Sequence, residues 1–204
     1  MNYKLISALM LFCATAMAQT DNRISWRSLN EGDLLFCVAK EANSITDVTH
    51  GIDGCRIDHV AIYHKENGSA FALEAIHKGV CLTPIDSFMG RRQMVIVAEL
   101  KDTAGVAESV RRALGYLGRP YDFNFMPSDS AMYCSELVQK SYRDESGELV
   151  FKPIPMSFHD ATGRITDYWR EYYSRQGLAV PEGEPGSNPG DLSRSDKIVI
   201  KGRM

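Results

Sequence analysis

The residues best suited to chemistry are a cysteine at the start of a predicted helix and a histidine at the start of a predicted strand. Cys134 follows an irregular segment, 118–130, that contains two prolines and several turn-forming residues. After it, Leu137, Val138 and Tyr142 recur at helical spacing. A thiol in a first helical turn faces unpaired N–H groups and the positive end of the helix dipole, which favour the thiolate. Cys134 is therefore a candidate nucleophile, and the alternative is a buried structural cysteine.

A cysteine nucleophile needs an imidazole base, and the base needs a polar group that orients it. His59 begins a β-type pattern at 58–63, and Glu74 lies in the next apolar stretch. The pair Asn67-Gly68 between the two stretches predicts an antiparallel hairpin, which brings Glu74 and His59 within reach of each other. The alternatives are a histidine that meets solvent at a strand end and a glutamate on an outward-facing edge. Both alternatives become weaker when the two residues are considered together, because His59 needs a polar group that orients it and Glu74, in an apolar stretch, needs a partner.

The order of the elements predicts an α+β fold, because strands come first and helices cluster late. Strands are predicted at 34–39, 58–64, 70–75, 79–83, 94–100 and 198–200. Helices are predicted at 104–117, 134–144 and 165–173. Two stretches are predicted as loops: the long connection 40–57, a candidate lid or specificity wall, and the tail 181–195.

The first 18 residues have the pattern of a signal peptide. Lys4 supplies the positive charge, an apolar run follows at 5–14, and Ala16-Met17-Ala18 offers a cleavage site. We therefore expect export to the periplasm or the extracellular space, with residues 19–204 as a single domain of adequate size for its own core. The apolar run is too short for a comfortable membrane span, so no stable membrane insertion is expected.

Charge and composition exclude some classes of function. The chain carries a formal net charge of −3, and removal of 1–18, with one lysine and no acid, leaves −4. This mild acidity gives no electrostatic footprint for nucleic acid. The basic pairs Arg91-Arg92 and Arg111-Arg112 are interpreted as solvated patches. No cofactor is predicted.

The cysteines of the predicted mature chain permit a disulfide and do not indicate a zinc site. Four cysteines remain after removal of 1–18, and with Cys134 as a free nucleophile at most one bridge forms within the monomer. We favour Cys37–Cys55, since both residues flank one loop. No CxxC or HxxxH spacing indicates zinc. A group of acids and a histidine near this loop also lacks a known ligand spacing: Asp47, His50, Asp53 and Asp58.

Five short blocks together resemble a known family. The blocks are Gly32–Phe36, Asp58–Tyr63, Leu73–Ala75, Leu117–Phe123 and Tyr133–Val138. In content and order they are similar to the circularly permuted papain-like cysteine hydrolases, the YiiX/YaeF-like branch of the NlpC/P60 superfamily. The order is the specific part, because the histidine strand precedes the cysteine, as it does in the permuted branch.

The resemblance implies a permuted papain-like fold, with an antiparallel sheet or small barrel packed against helices. It implies Cys134 as nucleophile, His59 as base and Glu74 as the third polar residue, with Tyr121 and Tyr133 as substrate-binding residues. The implied activity is that of a cysteine amidase or peptidase acting through a thioester, without a metal. The implied partner is a peptide or acyl-amide substrate, with cell-wall peptide derived from peptidoglycan as the default and N-acyl amino acids as another class. Two alternatives stay open: a lipid-directed acyltransferase or esterase on the same fold, and a non-catalytic binding module.

Overall fold

The computed structural model describes residues 22–204, so the predicted signal peptide lies outside the described residues. Within this part of the chain the strands are β1 (Leu34–Val38), β2 (Ile57–Glu66), β3 (Ser69–Ile76), β4 (Gly79–Pro84), β5 (Met94–Leu100), β6 (Ile154–Pro155), β7 (Pro185–Gly186) and β8 (Ile198–Arg203). Six of them form one antiparallel sheet in the order β4-β3-β2-β1-β5-β8, and β6 pairs with β7. The predicted α+β class is confirmed.

The hairpin between β2 and β3 has the turn that its sequence predicts. Asn67 and Gly68 both have positive φ, 49° and 80°, as a two-residue type I′ turn requires. The turn fixes the register, and the ladder runs from the Glu66–Ser69 pair to the Ile62–Leu73 pair. Glu74 is thereby placed one residue beyond the last pair of the ladder.

The helices of the described chain are α1 (Ile85–Gly90), α2 (Val106–Leu114), α3 (Cys134–Ser141), α4 (Asp167–Ser174) and α5 (Pro189–Ser193). One face of the sheet packs against α3, whose Leu137 and Val138 join Val60 and Ile62 in the main core cluster. The opposite face packs against α1. Because side chains alternate along a strand, β2 contributes residues to the clusters on both faces.

Several elements differ from the sequence prediction: α1 was not predicted, α2 is shorter at both ends than the predicted 104–117, and the tail and α3 differ as follows. The tail 181–195 was predicted as a loop but contains β7 and α5. The short helix α5 forms because Asn188 caps it, accepting a hydrogen bond from the Asp191 N–H at 2.8 Å, and because Pro189 suits the first helical position. Helix α3 ends three residues early, since Tyr142 is extended and donates its hydroxyl to the Gly32 carbonyl at 2.6 Å.

The predicted Cys37–Cys55 disulfide is wrong. Both residues are free thiols, as are the other two cysteines of residues 22–204. Cys37 is fully buried in the cluster on the α1 face of the sheet, whereas Cys55 packs against the cluster on the α3 face. Flanking one loop therefore does not bring the two sulfurs together. In the same range, no helix is both long and apolar enough to cross a membrane.

Candidate active site

Cys134 occupies the first position of α3, as its sequence context predicts. The preceding residue, Tyr133, is the N-cap and makes no side-chain cap hydrogen bond, so the cap side chain does not occupy the first-turn N–H groups. The thiol is 6% exposed and lines a pocket, so it is sheltered from bulk solvent but open to a ligand. This position is suited to an activated thiolate.

His59 contacts both other members of the predicted set. Its ring lies close enough to the Cys134 side chain for that side chain to raise the His59 pKa, and its Nε2 lies 2.8 Å from the Glu74 Oε2. Glu74 is fully buried in β3, where an unpaired carboxylate would be very unfavourable. Glu74 and His59 meet just beyond the end of the β2–β3 ladder. The structure therefore brings the three residues together, with His59 between Cys134 and Glu74.

Two further residues hold Glu74, and the sequence prediction missed both. Its Oε1 accepts hydrogen bonds from the Thr83 hydroxyl at 2.6 Å and from the Arg91 Nη2 at 2.5 Å. The interpretation of Arg91 as part of a solvated patch is incomplete, since its side chain is 42% exposed but its charge also pairs with the buried acid. Thr83 was within reach of sequence reasoning: the β3–β4 register sets Glu74 opposite Cys81, so Thr83 is its diagonal neighbour.

The pKa values of the pair follow from these contacts. Burial alone lowers the pKa of His59, but the hydrogen bonds and negative charges of Cys134 and Glu74 raise it to about 9. Burial alone raises the pKa of Glu74, but its contact with the His59 cation and the hydrogen bonds from Thr83 and Arg91 lower it to about 2. At neutral pH the base is therefore an imidazolium held by a carboxylate, the form that a thiolate partner requires.

The pocket beside Cys134 contains about 520 Å³ of empty space, its open mouth included. Most of its lining is apolar and aromatic, and it comes from segments far apart in the chain. The lining includes Ile45, Val48, Phe125, Met156, Phe158, Trp169 and Pro189. The first two belong to the 40–57 loop, and the last belongs to the tail predicted as a loop. The sequence indicated only the loop, by its length.

The structure places both predicted tyrosines in the lining of this pocket. Burial and the nearby Cys134 charge raise the pKa of Tyr121 well above its usual value, so its hydroxyl stays protonated and can donate. The Tyr133 hydroxyl accepts the Ser187 backbone N–H at 3.1 Å, which ties the start of α3 to the tail. Tyr121 is thus available to a ligand, whereas the Tyr133 hydroxyl has a structural partner.

Comparison with known proteins identifies the family of the chain. The model of a family described as "Permuted papain-like amidase enzyme, YaeF/YiiX, C92 family" matches residues 28–196, most of the chain. The chain belongs to this C92 family. The resemblance found in the sequence and the permuted papain-like fold are both confirmed.

Two relatives illustrate the membership. The uncharacterized protein YiiX of Escherichia coli strain K12 is 29% identical over 123 residues, which span 57% of this chain and 58% of that protein. The crystal structure of metalloprotein yiiX from Escherichia coli O157:H7 superposes with a TM-score of 0.71 at 22% identity, covering 86% of this chain and 97% of that one. The alignment to the first relative thus spans less than two thirds of its length, and the second comparison bears on the fold alone.

The donor set of this chain does not fit a metal centre. Across residues 22–204 no group of three or more His, Cys, Asp or Glu side chains is arranged to hold a metal ion. The His59 and Glu74 side chains satisfy each other, and their remaining partners are a thiol, a hydroxyl and a guanidinium.

Proposed function

We propose that this protein is an exported cysteine amidase that hydrolyses an amide bond through a thioester on Cys134. The observation that carries the proposal is the contact of the Cys134 thiol, at the start of α3, with a His59 ring that a buried Glu74 holds. Family membership supports the reaction class, and the signal-peptide pattern of residues 1–18 supports export.

The proposed reaction has two halves. The Cys134 thiolate attacks the carbonyl carbon, and the oxyanion meets backbone N–H groups at the start of α3. The imidazolium of His59 gives its proton to the leaving nitrogen, the C–N bond breaks, and a thioester remains. Water, deprotonated by His59, then adds to the thioester, the C–S bond breaks, the carboxylic acid leaves, and the pair of Cys134 thiolate and His59 imidazolium is restored.

The lining of the pocket indicates which class of acyl group the protein accepts. Its apolar and aromatic lining favours an apolar acyl group, as in N-acyl amino acids or peptides with apolar side chains, over a strongly polar cell-wall peptide. The same lining is the observation that favours the second candidate, a lipid-directed esterase or acyltransferase. A non-catalytic binding module is disfavoured, because Cys134 is a free thiol in contact with a base.

The test combines labelling of the thiol with turnover. We expect iodoacetamide to label Cys134 rapidly below pH 7 in the mature protein, and to label it more slowly in His59→Ala. A panel of N-acyl amino acids, muropeptides and acyl esters then shows which acyl groups are cleaved, with Cys134→Ser as the inactive control. A Cys134 that labels slowly, with no response to the His59 change, would show that the protein is not a cysteine hydrolase.

The 40–57 loop is proposed as a specificity wall. It supplies Ile45, Val48 and Thr49 to the pocket, and Trp169 donates its indole N–H to the Ser44 carbonyl at 3.0 Å, which fixes the loop against α4. Shortening the loop is expected to change the ranking of acyl groups more than the rate of Cys134 labelling. Unchanged activity on every substrate of the panel would rule the proposal out.

A further inference from the structure

Asp58 lies at the junction of the two depressions that meet at the catalytic pair. It lines the apolar pocket together with Cys134, and it also lines a second, more open cleft together with His59 and Arg91. Tyr121 is the other residue of this kind, since it borders both depressions. A substrate that extends from one depression to the other must pass beside the Asp58 side chain.

The proposed reaction places the scissile bond at the same junction. Cys134, on the pocket side, attacks the carbonyl carbon, while His59, on the cleft side, protonates the leaving atom. Those two substrate atoms are bonded to each other, so the bond that breaks spans the boundary between pocket and cleft. The acyl group then occupies the apolar pocket, and the leaving group occupies the open cleft.

One oxygen of Asp58 is buried and lacks a partner. Its Oδ2 accepts a hydrogen bond from the Asn43 Nδ2 at 3.0 Å, but its Oδ1 has no hydrogen-bond partner within residues 22–204. A buried carboxylate oxygen without a donor is costly, so it requires an explanation. The Ser135 and Ser187 hydroxyls are also unpartnered in this pocket, but a hydroxyl either donates or accepts, whereas a carboxylate only accepts.

We propose that Asp58 Oδ1 accepts the N–H of the scissile amide, which makes Asp58 a residue that selects amides over esters. This inference rests on the proposed function. A secondary amide offers one hydrogen on the atom that leaves, and an ester offers none, so an ester leaves the Asp58 oxygen unpaired. Sites that bind a substrate N–H or O–H discriminate strongly against the analogue that lacks it.

The same contact strengthens during the reaction. As the C–S bond forms, the amide nitrogen loses its conjugation and takes the proton of His59, so its hydrogens become more positive. The carboxylate then binds the departing amine more strongly than it binds the ground-state amide. An interaction that is stronger in the transition state accelerates the chemical step.

Asp58→Asn tests the proposed hydrogen bond directly, because Asn43 restricts how the introduced side chain is oriented. The Asn43 amide must still find an acceptor, so the carbonyl oxygen of the introduced side chain remains on it. The introduced NH₂ group then occupies the position of Oδ1 and faces the substrate N–H. Both groups are donors, so no hydrogen bond forms between them. Asp53→Asn is the matched control, since Asp53 is half-exposed, pairs with Arg203 and lines neither depression.

The experiment compares an N-acyl p-nitroanilide with the p-nitrophenyl ester of the same acyl group. For Asp58→Asn we expect kcat/KM to fall by about 10- to 150-fold on the anilide, the range for a lost hydrogen bond to a charged group, and by less than about 3-fold on the ester. Asp53→Asn is expected to change neither. Equal losses of kcat/KM on both substrates would overturn the proposal. A loss seen only when the acyl group carries a free amine would also overturn it, because Asp58 would then bind that amine and not the scissile N–H.

Two further measurements keep the outcomes separate. The rate of Cys134 alkylation is expected to be unchanged in Asp58→Asn, which shows that the pair with His59 is intact. Asn43→Ala removes the hydrogen bond that orients the Asp58 carboxylate without altering the carboxylate itself. It is expected to lower the ratio of kcat/KM on the anilide to kcat/KM on the ester, and it replaces Asp58→Asn as the test if that variant does not fold. Wild-type protein that turns over neither substrate would refute the proposed function itself, and this inference with it.

Discussion

Replacing Glu74 by glutamine tests the electrostatics of the candidate site most directly. The change keeps the shape of the side chain but removes the buried charge that His59, Thr83 and Arg91 share. Because the imidazolium of His59 then loses a charged partner, we expect the pKa of His59 to fall. The proton that His59 gives to the leaving group is consequently lost at a lower pH.

The structure sets the scale of this effect. A rise in the pKa of His59 from 6.5 to about 9 corresponds to about 3 kcal/mol of net stabilisation of the imidazolium. Cys134 and Glu74 both contribute to the rise, against the opposing effect of burial. Loss of the Glu74 charge is expected to lower the pKa by about one unit or more, which is about 1.4 kcal/mol or more.

The assay is the pH dependence of kcat/KM, whose descending limb at high pH reports the acid of the free enzyme. For the wild type we expect this limb near pH 9, and for Glu74→Gln we expect it about one unit lower or more. Glu66→Gln, the same chemical change at an exposed position of β2, is the control and is expected to leave the limb in place. A descending limb at the same pH in Glu74→Gln and the wild type would refute the electrostatic coupling.

The remaining predictions concern stability. Burial raises the pKa of Glu136 to about 7 despite its ion pair with Lys140, so the folded state holds a proton that the unfolded chain has released. The free energy of unfolding should therefore fall as the pH rises from about 4.5 to 7, and Glu136→Gln should remove up to about 3 kcal/mol of that fall in urea titrations. Tyr133→Phe leaves the buried Ser187 N–H unpaired and should cost about 1–3 kcal/mol, whereas Tyr168→Phe, at an exposed ring, should change little. Since the four described cysteines are free, dithiothreitol should leave the thermal midpoint unchanged.

The parts of the fold that local sequence controls were predictable. The alternation of apolar residues, the Asn67-Gly68 turn and the irregular segment before Cys134 together indicated the strands, a hairpin and the start of α3. The predicted contact between His59 and Glu74 required only the period of a strand and the length of a turn. Their catalytic roles stay predictions until the pH profiles are measured.

Contacts between distant segments were not predictable in the same way. Arg91 lies past the end of α1 and reaches Glu74 across the α1 face of the sheet, so its partner depends on how that helix packs. The Cys37–Cys55 pairing was also wrong because it depended on packing between distant segments. Cys37 belongs to the cluster on one face of the sheet, whereas Cys55 packs against the cluster on the other face. The short helix α5 was missed although Asn188-Pro189 is a recognisable capping signal within a polar stretch.

The candidate site has two parts, a contact between residues of neighbouring elements and a pocket wall built from distant segments, and this division has a consequence for specificity. The catalytic contact depends on β2, β3 and the start of α3, which one hairpin and one helix cap position. The pocket wall comes instead from the 40–57 loop, the connector around residues 156–158 and the tail at 187–189. None of these segments carries the thiol or the imidazole, so membership of the family constrains the bond cleaved more tightly than the acyl group accepted. Asp58 belongs to both parts, because it precedes His59 on β2 and is oriented by Asn43 of the loop. A change in the loop that displaces Asn43 is therefore expected to alter the preference for amides as well as the preference among acyl groups.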